Sequence, residues 1–160
     1  MKSLTLLLLV VACGAPRTPT SGGLVVKYQP NEKRLSPEKA RELDARHKAL
    51  LECLPPEVIC RERPPTFSIE GNCDTFVDRG EPGQKGVYVS AGMSTGHIIL
   101  PGSLGAAAHE MTHHYACETH PHPDYDASWM SRCGDTIDGA FRRLYPPVVC
   151  PSDPAKGTVP

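Results

Sequence analysis

His109, Glu110 and His113 stand in the order H-E-x-x-H, with Met111 and Thr112 between the second and third of them. An α-helix advances about 3.6 residues per turn, so residues four apart share one face roughly 6 Å from each other. Two imidazoles placed that way can bind a single tetrahedral zinc ion, with Glu110 on the flank of the same face. Zinc lowers the pKa of a bound water to about 7, which lets a neighbouring carboxylate take its proton as the water attacks a carbonyl. No other stretch of the 160 residues has types, order and spacing that all suit one chemistry.

A catalytic zinc needs a third protein ligand, and the segment after the motif is crowded with candidates. It reads His120-Pro121-His122-Pro123-Asp124-Tyr125-Asp126, so His120, His122, Asp124 and Asp126 all qualify by type. Asp126 has a competing role as N-cap of a following helix. Cys117 lies four residues past His113 and continues the ligand stripe, but in an oxidising compartment a disulfide suits it better than a thiolate ligand. Pairing Cys117 with Cys133 would tie down both ends of the candidate ligand segment. His114 projects about 100° from His113 and reads as polar surface, as a wall of the cleft or as a support behind the metal ligands. His47 and Tyr115 fall on apolar stripes and read as core.

These residues need a helix that buries one face and presents the other. Leu104, Ala108, Met111 and Tyr115 recur at helical spacing nearly opposite the histidines, which predicts a helix near residues 104–118 capped by Ser103. Before it, Thr66-Phe67-Ser68-Ile69-Glu70, Val87-Tyr88-Val89-Ser90 and His97-Ile98-Ile99-Leu100 read as strands, as does Leu24–Tyr28. Ser36-Pro37-Glu38 opens a helix that runs to Cys53 and stops at Pro55-Pro56. A last helix is predicted from Ala127 to about Leu144, weakened by Gly134 and Gly139. The class is α+β: a twisted, mostly antiparallel sheet packed on the motif helix, with N- and C-terminal helices.

The chain opens Met1-Lys2-Ser3 and is apolar from Leu4 to Ala12 apart from Thr5, which has the form of an export signal too short to span a bilayer. Beyond Cys13, residues 13–23 are rich in Gly, Pro, Ser and Thr and read as a flexible tether. Residues 24–150 form one domain by size, and residues 151–160 read as a disordered tail. Apart from Cys13 there are six cysteines, at 53, 60, 73, 117, 133 and 150. An even number in a small exported domain with few aromatics predicts three disulfides, in one of fifteen possible pairings, that supplement a modest core. A net charge of −1 with both signs dispersed gives no case for nucleic acid.

Two resemblances sharpen this. Val10-Val11-Ala12-Cys13-Gly14 resembles the bacterial lipoprotein signal, which implies cleavage before Cys13, acylation of that cysteine and anchoring to a membrane that the chain does not cross. The motif resembles that of the zincin metallopeptidases. This implies a zincin-like domain with His109 and His113 as zinc ligands, Glu110 as general base, and an edge strand that holds an extended peptide. The zincin group that takes its third ligand from a later glutamate is excluded, because no glutamate follows Glu118. The metzincin extension fails because Ala116 and Thr119 occupy its glycine and histidine positions. Aspartate-type zincins place a ligand some nine residues after the second histidine, and His122 holds that position here. A tyrosine stabilises the oxyanion in several zincins, which makes Tyr125 a candidate for that role.

The expected protein is thus a monomeric, exported zinc metallopeptidase acting on peptide or protein substrates, with Zn²⁺ as cofactor. It would sit as a lipoprotein on a bacterial outer membrane or cell surface, or be periplasmic or secreted. The alternative is a non-catalytic metal-binding or interaction lipoprotein on a zincin-like scaffold.

Overall fold

A computed structural model of the chain describes residues 17–28, 34–70, 86–90, 96–101, 104–119 and 124–145. Five strands form one sheet: β1 (Arg17–Pro19), β2 (Val25–Lys27), β3 (Thr66–Glu70), β4 (Val87–Ser90) and β5 (Gly96–Pro101), in the order β1-β2-β3-β5-β4. Among the described residues three α-helices accompany it: α1 (Pro37–Cys53), α2 (Ala107–Tyr115) and α3 (Thr136–Leu144). The class is α+β, as expected. The sheet is evenly mixed rather than mostly antiparallel: β1–β2 and β4–β5 are antiparallel, while β2–β3 and β3–β5 are parallel. Parallel pairing follows from the long connection that carries α1 between β2 and β3.

The sheet alternates as half-buried strands must. Val26, Phe67, Ile69, Ile98 and Leu100 point into the core, where Leu43 and Leu50 of α1 and Ala108, Met111 and Tyr115 of α2 meet them. The predicted stripe on the motif helix is therefore the face that packs. Removing each large side chain from water contributes about 1.5–3 kcal/mol, so this single core holds α2 in place against the sheet.

α1 starts where predicted: the Ser36 hydroxyl accepts a hydrogen bond from the Lys39 N–H at 3.2 Å, and Pro37 sits in the first turn. The segment expected to be a tether differs from residue 17 onward, because Arg17–Pro19 adds an edge strand to β2. The turn after it is fastened to α1, where the Asp44 carboxylate accepts from the Thr20 and Ser21 hydroxyls and the Gly22 N–H. A three-residue edge strand that is largely exposed carries no apolar alternation, which is why composition alone misses it.

The last helix is also built differently. A π-helical stretch, Met130–Asp135, precedes α3, so the helical region begins later than Ala127 and has a wide first turn. Gly134 in that stretch lies directly on α2. A Cβ there would stand 2.9 Å from the His109 Cα and 2.8 Å from the Thr112 hydroxyl oxygen. The glycine that weakens the helix as a propensity is required by close approach.

Among the described residues two disulfides join the elements, Cys53 to Cys133 and Cys60 to Cys117. The pairing of Cys117 with Cys133 is thereby overturned. Cys133 is buried under the C-terminus of α1, whereas Cys117 lies past the end of α2 beside residue 60. Cys13, Cys73 and Cys150 lie outside the described residues, as do the segments read as an export signal and a C-terminal tail. Among the described residues no helix is long and apolar enough to cross a membrane.

Candidate metal centre

The motif helix flanks a cleft of about 600 Å³ that is closed on its other side by β4, with Gly86, Val87, Tyr88, His109, Glu110, His113 and Glu118 among its walls. His109 and His113 present their rings there edge to face, with centroids 5.1 Å apart. Each ring is oriented through Nδ1. His109 Nδ1 donates to Asp135 Oδ1 at 2.8 Å, and His113 Nδ1 donates to the Glu118 carbonyl at 2.7 Å. A carbonyl oxygen can only accept, so the His113 tautomer is fixed and Nε2 is the nitrogen whose lone pair can serve a metal. A carboxylate or carbonyl behind the distal nitrogen is the usual support of a metal-binding histidine. Two imidazoles on one tetrahedral zinc, at bonds of about 2 Å, have ring centroids about 5 Å apart, and the observed pair fits that geometry.

Glu110 is buried between these rings and the edge of β4. The Tyr88 N–H hydrogen-bonds its carboxylate, and burial pushes its pKa up to about 7 against the opposing pull of His109. Gly86 makes room for it, since a Cβ at 86 would come within 2.7 Å of the Glu110 side chain. Burial works to lower the His109 pKa, but the hydrogen bond and charge of Asp135, with Glu110 and Asp138, outweigh it and raise the value. Asp135 is only half-buried; that partial burial works to raise its pKa, but hydrogen bonds from His109 and Tyr125 outweigh it and bring the value below the ordinary range.

Both ends of α2 are held by residues from elsewhere. Its N-cap, Ala106, supplies no side-chain cap. Asp138 of α3 takes that role: Oδ1 accepts the Ala108 N–H at 3.1 Å and Oδ2 the His109 N–H at 2.9 Å. Arg46 of α1 pairs with Asp138 and, through Nε at 3.0 Å and Nη2 at 2.6 Å, with Glu42. Burial pushes the Asp138 pKa up to about 6, with Arg46 and the two amides working against it. A carboxylate at a helix N-terminus also complements the macrodipole.

At the other end the chain leaves the helix through Cys117 at φ +55°, a left-handed conformation that a non-glycine residue adopts at some cost. The turn delivers the Glu118 carbonyl to His113. The Glu118 carboxylate reaches onward to the Trp129 and Met130 N–H groups at 2.9 and 3.1 Å, linking the π-helical stretch to the site.

The fold thus brings His109, Glu110 and His113 to one cleft. His120 and the favoured third ligand, His122, lie outside the described residues. Among the described residues no group of three histidine, cysteine or acidic side chains stands in position to hold a metal ion. Asp124 is exposed and accepts the Ala127 N–H at 3.3 Å in the turn before the helical region, and the expected capping by Asp126 is not found, since neither helical segment there takes a side-chain cap at its N-cap. Tyr125, considered for the oxyanion, donates its hydroxyl to Asp135. His114 is not polar surface. It is fully buried, its Nε2 donates to the Arg63 carbonyl at 2.7 Å, and its Nδ1 meets the Tyr88 hydroxyl at 3.2 Å. Tyr115 and His47 are core residues, joined by a 2.6 Å hydrogen bond.

Asp135, Asp138, Tyr88 and Glu118 were not singled out by sequence reasoning. Only the three-residue spacing of Asp135 and Asp138, which puts both on one helical face, offers a signal, and many solvated faces share it. The chain matches no family model, no curated protein and no solved structure.

Proposed function

We propose that this chain is a zinc-dependent metallopeptidase that hydrolyses peptide bonds in the cleft between α2 and β4. The observation that carries the reading is the pairing of two i, i+4 histidines, both held through Nδ1, with a buried glutamate between them and a sheet edge. A zinc ion held by His109, His113 and a residue of the 120–126 segment, His122 foremost, would supply Lewis acidity to a water and to the scissile carbonyl.

The chain's own groups supply the proton transfers and the positioning. Glu110, buried beside the two histidines, takes a proton from the attacking water and delivers it to the leaving amine as general base and then general acid. The Tyr88 N–H fixes the carboxylate, while Asp135 and the Glu118 carbonyl fix the imidazoles. β4 ends the sheet beside the cleft with β5 as its partner, a placement that suits pairing with an extended peptide.

The export signal and the disulfides favour work outside the cytoplasm, with Cys13 as the acylated anchor and the domain acting as a monomer. The test is Glu110→Gln in the zinc-loaded protein. Loss of peptide hydrolysis with one zinc per chain retained is the expected result. A wild-type protein that binds zinc and cleaves no peptide would favour the non-catalytic metal-binding lipoprotein instead.

A further inference from the structure

Arg61 lines the same cleft and is the one permanently cationic side chain among its described walls. It is held with unusual thoroughness. On one side Cys60 is disulfide-bonded to Cys117, and its N–H donates to the Tyr115 carbonyl at 2.8 Å. On the other side the Arg63 carbonyl accepts from His114 Nε2 at 2.7 Å. Between these ties the Arg61 Nη1 donates to the Tyr88 hydroxyl and lies 3.5 Å from the His114 carbonyl. The 60–63 strap is therefore fastened to the C-terminal end of α2 before and after Arg61, and the guanidinium is fastened as well. A guanidinium fixed in advance loses little rotamer freedom when it takes a ligand.

Its position relative to the motif can be bounded. The Tyr88 ring stacks on His113 with centroids 6.2 Å apart, and the Arg61 guanidinium carbon lies 5.7 Å from the same Tyr88 centroid. At most about 12 Å separates the cation from the His113 ring, which is three to four residues of extended peptide at about 3.3 Å each. The planar fork of an arginine matches a carboxylate, and such charge-assisted pairs are among the strongest polar contacts.

We propose that Arg61 is the specificity residue of the cleft and receives a substrate carboxylate, either the C-terminus of a peptide or an acidic side chain, within about three residues of the scissile bond. This rests on the reading of the cleft as a peptide site. Arg61 also sits near the last carbonyls of α2, and a residue that only capped the helix would affect all peptides alike.

The test uses the oxidised, zinc-loaded Glu110→Gln chain, so that nothing is cleaved, and isothermal titration of two peptide pairs. One pair differs only in a C-terminal acid or amide. The other carries a C-terminal amide and differs only by an internal Glu or Gln. The acidic member of one pair binds tighter, by about tenfold or more, and the pair that shows this identifies the source of the carboxylate. Adding Arg61→Gln removes the preference, and Arg61→Lys, which keeps the charge but not the fork, retains part of it. Equal binding within both pairs, or no binding at all, overturns the proposal. So does a preference that survives Arg61→Gln, which would assign the carboxylate to the metal. Should Arg61→Gln not fold, loss of at least about half the preference in Arg61→Lys decides in favour and an unchanged preference against. A retained preference in a wild-type protein that hydrolyses nothing sinks the peptidase reading and leaves the anchor standing; hydrolysis without preference does the reverse.

Discussion

Replacing Asp138 with alanine removes the carboxylate that, among the described residues, caps the motif helix, and it takes from Arg46 one of the carboxylates it pairs with. Asp138 is buried and accepts three N–H groups, from Ala108, His109 and Arg46. Loss of a capping side chain costs about 0.5–2 kcal/mol. Truncating one partner of a buried ion pair costs about 3–5 kcal/mol, because the remaining charge stays in a poor solvent. Arg46 keeps Glu42, so the lower end applies, and since these costs overlap we expect roughly 4 kcal/mol in all. That is a large share of the 5–15 kcal/mol typical of a domain. The assay is urea unfolding, followed by circular dichroism, of the oxidised, chelator-treated protein. Arg46→Ala and the double variant complete a thermodynamic cycle. The double variant leaves neither Arg46 nor Asp138 buried without the other, so it should cost less than the two single changes together by about 1 kcal/mol or more. An Asp138→Ala cost under about 1 kcal/mol, or strictly additive singles, would refute the capping and pairing argument.

Three further outcomes follow from particular contacts. His47 is buried, and burial lowers its pKa below 6.5 against the pull of Asp44. The folded state then binds fewer protons than the unfolded one, so the contribution of neutral His47 is present above pH 6.5 and fades as pH falls through that range. His47→Gln should therefore cost more stability at pH 7.5 than at pH 5, and an equal cost at both would show that His47 is not held neutral. Asp135→Ala removes the carboxylate behind His109 Nδ1 and should weaken zinc binding about 10–100-fold by competition with a fluorescent chelator, while unchanged affinity would show that His109 needs no such support. Gly134→Ala forces a methyl group against the His109 backbone and should cost about 1–3 kcal/mol, whereas a neutral change would mean that the π-helical stretch can move away from α2.

The local part of this architecture was legible because it depends on near neighbours in the chain. Ser36-Pro37 and the 3.6-residue period gave α1, the alternation of Thr66–Glu70 gave β3, and the Leu104–Tyr115 stripe separated the packing face of α2 from the face that carries His109 and His113. What the sequence hid is long-range. Asp138 caps a helix some thirty residues earlier, Cys117 turns back to Cys60, and the Glu118 carboxylate serves Trp129 and Met130. None of these contacts leaves a periodic signal. His114 misleads for a related reason: a histidine next to the motif looks solvated until the fold supplies Arg63 and Tyr88 as partners. The edge strand at Arg17–Pro19 is invisible to an apolar pattern because it buries so little.

The most direct measurement is native mass spectrometry of the oxidised chain after zinc loading, beside His109→Ala and His113→Ala. One zinc ion per wild-type chain, lost or at least about a hundredfold weaker in both variants while each remains folded, is the result that two buttressed imidazoles on one face of α2 predict. A wild-type chain that takes up no stoichiometric zinc, or variants that hold it as tightly as the parent, would contradict a metal centre at this helix.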